Sequence, residues 1–239
     1  MIIPGIKDDK GYNQRYIASE SLRIRTERRV DYIIAQMNLH QKGSVLEIGC
    51  GGGEYSSQIA GKTGFEVLGS DLCEPFIEEA RLKYFLPNLS FEVVDFNNPI
   101  TLYNRKFNYI IGNGILHHLF NNLDDSLSII KNLLLPNGKI VFLEPNLLNP
   151  YCYLIFNTIP YFRKLASLEP DEMAFTRKFI TLKLLQAGYR DVKVEYKDFL
   201  LPGTPIKLIK PLIWFGNILE KTPFLSKISQ SIFISATLE

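Results

Sequence analysis

Four kinds of residue in this 239-residue chain have the types and spacing to do chemistry: a glutamate inside an apolar run, alternating glycines, two strand-end aspartates and a pair of adjacent histidines. Glu47, Gly49, Gly51 and Gly53 fall within the run S-V-L-E-I-G-C-G-G-G-E-Y at 44–55. Lacking Cβ atoms, glycines so placed let a backbone take positive φ or lie close against a bound molecule. The ligand class narrows by exclusion. A dinucleotide fingerprint needs Gly or Ala where this chain has Glu54, and a carboxylate in a first helical turn suits a diphosphate poorly. No Gly-Lys-Ser/Thr follows the glycines, so a P-loop fails as well. What remains is a ligand without phosphates, preferably cationic, because Glu47 and Glu54 add negative charge there. His117 and His118, further along, are of the type that takes or gives a proton near neutral pH.

Positioning these groups requires strands that end where they stand. Val45, Leu46 and Ile48 read as a buried parallel strand that the glycines turn into a helix beginning near Glu54. Residues 65–70 form a second apolar strand ending at Asp71, about 20 residues past the glycine turn, where an acidic side chain can take both hydroxyls of a ribose. A third strand at 89–94 ends in Asp95-Phe96. A fourth at 107–112 runs into Asn113-Gly114-Ile115-Leu116-His117-His118-Leu119. The sequence then predicts a helix closed by Leu135-Pro136-Asn137-Gly138 and a strand at 140–143.

These segments together resemble the class I S-adenosylmethionine-dependent methyltransferases, whose E/D-x-G-x-G-x-G motif is matched by Glu47, Gly49, Gly51 and Gly53. The L-x-P-x-G turn before 140–143 is also characteristic of them. The resemblance implies S-adenosylmethionine as cofactor. It makes Asp71 the ribose ligand, gives Asp95 the exocyclic amine of adenine and packs Phe96 near that ring. Cys50, Leu72, Asn113, Ile115 and His118 complete the implied cofactor contacts. It also implies a Rossmann-like three-layer α/β/α sandwich with a seven-stranded, mostly parallel sheet of order 3-2-1-4-5-7-6, strand 7 antiparallel. In-line displacement from a sulfonium is largely a matter of positioning. His117 and His118 are candidates for a general base, although His-His-Leu is frequent at this place, one histidine often lying against the cofactor and the other structural.

Composition bounds the rest. The chain is long enough for one large core with insertions rather than two equal domains. Its formal charge of +2 and the lack of any Lys/Arg block speak against nucleic acid. Cys50, Cys73 and Cys152 form no metal pattern, so no metal is expected, and reduced thiols with no signal-peptide pattern fit a cytoplasmic protein. The expected division is an N-terminal cap and helix at 1–43, then a methyltransferase domain at 44–239 with insertions at about 146–173 and 200–226.

The flanks speak for the acceptor. A helix is expected at 19–37, and Tyr12, Tyr16 or one of its arginines could meet the methionine carboxylate or the acceptor. Glu144, Asn146 and Tyr151, at the start of the aromatic-rich first insertion, are further substrate candidates. A helix at 176–187 capped by Gly188, a strand at 191–196 and a strand at 231–236 complete the fold. From Lys207 the second insertion is amphipathic, with Lys207, Lys210, Trp214, Asn217 and Lys221 on one side and Leu208, Ile209, Leu212, Ile213, Phe215 and Leu219 on the other. Pro211 would kink it or begin a second helix. Core packing, a cap over the acceptor pocket and peripheral membrane contact through 205–221 all fit that pattern, as does a homodimer, and residues 151–162 and 205–221 of the two insertions are expected to form one apolar roof over the acceptor pocket. The expected activity is methylation, of oxygen before nitrogen or carbon, on a small-molecule, glycan or lipid-linked acceptor. A methyltransferase-like module that binds without catalysis is the alternative.

Overall fold

The apolar run at 44–48 is buried along nearly its whole length, and residues on both its faces are covered, as a central parallel strand requires. In the computed structural model, which describes residues 19–96, 98–157, 160–166, 168 and 172–239, this strand, β1 (Ser44–Ile48), lies mid-sheet. The others are β2 (Glu66–Asp71), β3 (Leu89–Val93), β4 (Phe107–Asn113), β5 (Leu134–Pro145), β6 (Tyr189–Lys197) and β7 (Ser231–Leu238). Their order is β3-β2-β1-β4-β5-β7-β6. β1 to β5 pair in parallel, while β7 runs antiparallel between β5 and β6. The C-terminal ends of β1, β2, β4, β5 and β6 therefore share one edge, the edge where open α/β sheets bind ligands.

Among the described residues there are eight α-helices: α1 (Glu20–Ile34), α2 (Glu54–Thr63), α3 (Glu74–Lys83), α4 (Leu123–Leu133), α5 (Pro150–Asn157), α6 (Pro160–Leu165), α7 (Arg177–Gln186) and α8 (Ile206–Lys221). Successive strand residues point to opposite faces. Accordingly Leu46, Ile110, Ile140 and Phe142 join Leu127 and Ile130 of α4 and Ile180 and Leu184 of α7. Val45, Ile111, Val141 and Leu143 instead join Val30 and Ile33 of α1 and Ile59 of α2. The expected three-layer architecture is present.

The departures are local. β5 begins at Leu134 rather than 140, because Leu134 pairs with Phe107 before the register shifts. α7 is capped by Ala187, and Gly188, at φ 85°, stands one residue beyond. α8 is one helix through Pro211; Pro211 and Lys207 are both exposed, so water can serve the carbonyl that loses its partner. The single roof is not built. The first insertion closes a small core of its own from Cys152, Ile155, Phe156 and Ala174, with Leu147, Ala166 and Leu168 against it, and no residue of the second insertion joins. The first insertion instead meets the segment just after the second through polar groups, Asn146 and Asn149 donating to the carbonyls of Lys227, Ser229 and Ile228.

Candidate active site

The turn from β1 into α2 carries three positive φ values, 68° at Gly49, 50° at Gly51 and 81° at Gly53. Two of these glycines show why. A Cβ on Gly53 would come within 2.7 Å of the Phe91 ring, so close packing of helix on strand demands glycine there. A Cβ on Gly51 would meet nothing within 4 Å. Gly51 faces open space, and its N–H donates to Asp71 Oδ2 at 2.8 Å while Cys73 N–H donates to Oδ1 at 2.9 Å. The carboxylate at the tip of β2 is thus aimed by two backbone donors at the rim of that space. Leu72 beside it is half exposed, and Asp95, beyond the end of β3, is exposed too. An open turn edged by carboxylates and an exposed aliphatic side chain fits a nucleoside with hydroxyls to bind and a ring to cover.

Beneath the turn, Glu47 is buried and accepts a hydrogen bond from Ser56 Oγ. Burial pushes its carboxyl up to about 8, against the Ser56 bond and with help from Glu54 and Asp71 nearby. Cys50, also buried, has its thiol raised by burial and by Glu47 and Asp71.

The segment after β4 is organised by one buried side chain. Glu144, near the end of β5, is 1% exposed; its Oε1 accepts from the N–H groups of Ile115 at 3.0 Å and Leu116 at 2.8 Å. Its Oε2 lies 2.8 Å from His117 Nδ1 and accepts His117 N–H at 3.3 Å. The rings of His117 and His118 lie 4.0 Å apart, and His118 Nδ1 stands 3.1 Å from Glu172 Oε1. Each imidazole therefore has its own buried carboxylate. His117, His118 and Glu172 each offer one donor atom within 4.8 Å of the others, a set that could hold a metal ion.

A second buried network holds α1 to the rim. Asp198, just past β6, accepts from Arg25 Nε at 2.6 Å and Arg29 Nε at 2.7 Å. Arg29 also donates to Asn113 Oδ1 at 2.6 Å and Ser231 Oγ at 2.7 Å. Burial and the neighbouring Arg29 push Arg25 down to about 10, with Asp198 opposing.

A family profile described as a methyltransferase domain matches residues 39–174, more than half of the chain. The chain belongs to the class I methyltransferases. The ubiquinone biosynthesis O-methyltransferase of Neisseria meningitidis serogroup C is 30% identical over 132 residues, 53% of each chain. That of Histophilus somni is 37% identical over 126 residues, 48% of this chain and 50% of the relative. The chain thus spans about half the length of the curated relatives it matches. Among solved structures, an S-adenosylmethionine-dependent methyltransferase from Archaeoglobus fulgidus superposes with a TM-score of 0.64 at 20% identity, covering 95% of this chain and 97% of that one.

For this methyltransferase several expected roles change. Glu144 and Asn146 were expected to touch an acceptor, but both are buried and bonded within the protein. Glu144 serves His117 and three backbone donors; Asn146 donates to two carbonyls and accepts from Leu148 N–H. They frame the site rather than line it. Phe96 is buried in the main core with Val94 and Leu102, so its ring packs inward rather than over the turn. Ile115 packs under the turn, where Cβ atoms on Gly49 or Gly112 would collide with it. Tyr151 is 64% exposed on α5. Tyr12 and Tyr16 lie outside the described residues. Sequence reasoning gave no site role to Glu172 or Asp198 and left Arg29 as one of several arginines on the first helix. Each works through a partner at least 50 positions away in the chain, which only the fold supplies.

Asp71→Ala is expected to weaken cofactor binding by about 1.5–3 kcal/mol, the range for a charged hydrogen-bonded group. Isothermal calorimetry measures it, and an affinity equal to that of the unmodified protein would remove Asp71 from the site.

Proposed function

We propose that this methyltransferase binds S-adenosylmethionine in the turn at Gly49–Gly53 and methylates a hydroxyl of a small-molecule, glycan or lipid-linked acceptor. When bound, that cofactor supplies an electrophilic methyl group on a sulfonium. The observation that carries the oxygen reading is the Glu144–His117 pair. A carboxylate accepting from Nδ1–H leaves Nε2 as the basic nitrogen of the ring, so His117 is suited to take a hydroxyl proton, with Glu144 stabilising the imidazolium. His118, held by Glu172, is the second candidate. A base of this kind is worth about 10²–10⁴-fold in rate for a hydroxyl acceptor. The names of the O-methyltransferase relatives support the same acceptor atom. The non-catalytic alternative is disfavoured, because a fold kept only for a partner has no use for the aimed carboxylate of Asp71 or the Glu144–His117 pair. Beside the cofactor, the proposed transfer uses protein groups and calls for no metal.

Calorimetry tests the cofactor half. With its carboxyl raised to about 8, Glu47 is mostly protonated at pH 7 in the cofactor-free protein. A bound sulfonium and ammonium favour the ionised form, so binding is expected to release a proton and to tighten as pH rises from 6 to about 8. Titrations in two buffers of different ionisation heat measure the release. Equal heats would exclude Glu47 as the group that responds to the cofactor's charge. For the acceptor half, methyl transfer to catechol, quinol and glycan hydroxyls is followed as S-adenosylhomocysteine formed. Transfer only to amine or carbon acceptors would overturn the oxygen reading.

A further inference from the structure

α8 is amphipathic, yet it does not bury its apolar side. Of its residues only Ile209 and Gly216 are buried. Leu208 and Phe215, on its apolar side, are 51% and 52% exposed. At about 100° per residue, Leu208, Pro211, Phe215 and Ile218 form one outward stripe, with Trp214 at its edge among the lysines. Lys207, Lys210 and Lys221 border it, all exposed. The stripe continues past the helix. Phe224, held at φ 72°, is 76% exposed, and Lys227 Nζ sits 4.7 Å over its ring. The only acidic residue between 201 and 230 is Glu220, and it is turned inward, accepting Asp198 N–H at 2.9 Å and facing Lys197 at 3.5 Å. The exposed face is therefore aromatic, aliphatic and cationic, without a carboxylate.

We propose that α8 and the turn after it form a docking surface for an anionic lipid bilayer. An interfacial helix has an apolar face that enters the headgroup boundary, a lysine border and an aromatic at the edge, and this face has all three. The charge decides between occupants. A symmetric pair of chains would set the same lysine stripe against itself, at an electrostatic cost, whereas anionic headgroups neutralise it. No helix among the described residues is long and apolar enough to cross a membrane, so the contact is peripheral. Position links the surface to the site. α8 joins the end of β6 to the start of β7 on the ligand edge of the sheet, Asn217 accepts from Arg28 at 2.8 Å, and Arg29 on the same α1 reaches Asn113. The surface deepens the proposed function by favouring a lipid-linked acceptor, but docking does not require that reading to hold.

The chain's single tryptophan, Trp214, lies at the edge of the stripe and reports on it directly. With the full chain, vesicles of phosphatidylcholine containing about one third phosphatidylserine are expected to co-sediment the protein and blue-shift Trp214 emission. Raising salt should reverse both, and pure phosphatidylcholine should do neither. Each lysine-to-glutamine change among Lys207, Lys210 and Lys221 should lower partitioning about fivefold, from a contribution of about 1 kcal/mol each. Phe215→Ser with Phe224→Ser should abolish the blue shift while unchanged circular dichroism and cofactor binding show an intact fold. No association with anionic vesicles would overturn the proposal, as would a Trp214 shift that follows protein concentration without lipid, which would assign the stripe to a second copy. Lost cofactor binding with retained lipid binding would instead sink the proposed function and leave the docking surface standing.

Discussion

Asp198→Ala is expected to destabilise the protein by about 3–5 kcal/mol, the range for removing one partner of a buried ion pair. Asp198 is nearly wholly buried and is the carboxylate on which Arg25 and Arg29 both converge, so its loss leaves two guanidinium groups away from water without their counter-charge. For a chain of this length the melting temperature should fall by roughly 6–20 °C. The pH dependence follows from the same contacts. Burial alone would raise the Asp198 carboxyl, but Arg29 and Arg25 outweigh it and hold it below its ordinary value. A folded value below the unfolded one, about 3.9, gives stability that is complete above that pH and is lost as pH falls through the folded value. Asp198→Ala should remove that acid limb. Arg23→Ala, which breaks an exposed pair with Glu20 and Glu27, is the control and should change nothing measurable. Equal melting temperatures for Asp198→Ala and the control would refute the network's role. Because Asp198 adopts φ 74°, Asp198→Asn is the gentler variant: asparagine tolerates that conformation and keeps one acceptor.

Glu144→Gln should act chiefly on turnover. The amide keeps one carbonyl for the Ile115 and Leu116 N–H groups but sets an NH2 against the His117 N–H and ring, so one or two buried donors lose their acceptor. A stability loss of about 1–3 kcal/mol is expected from that mismatch. With His117 no longer held by a carboxylate, kcat on a hydroxyl acceptor should fall about 10²–10⁴-fold. The split between constants separates positioning from mere damage. Cofactor affinity and acceptor KM should stay within a few-fold, and Glu144→Asp should recover part of kcat. A kcat within a few-fold of the unmodified enzyme, with the same stability loss, would leave Glu144 a purely structural cap of the segment after β4.

Much of this protein was legible along the chain, for a physical reason: the proposed cofactor side of the site is built from local sequence. A strand-to-helix turn with positive φ needs glycine at Gly51 and Gly53 whatever surrounds it, and an aspartate at a strand tip is carried to the ligand edge by the strand itself, as Asp71 is. Parallel strands buried on both faces are apolar throughout, and so the strands could be read from the sequence, while their order in the sheet was implied by the family resemblance that the motifs carry. Groups whose roles depend on a distant partner could not. Glu144 looked like an acceptor contact because nothing in its neighbourhood shows that three N–H groups and His117, nearly 30 positions earlier, close over it. Asp198 and Glu172 stood in loops with no periodic pattern, and only the packing of α1 and of the first insertion gave them arginines and an imidazole to hold. α8 is the clearest case of the division. Its amphipathic pattern was plain from residue spacing, yet spacing shows only that an apolar face exists; whether that face meets the core is decided by the tertiary structure, which leaves Leu208, Trp214 and Phe215 exposed.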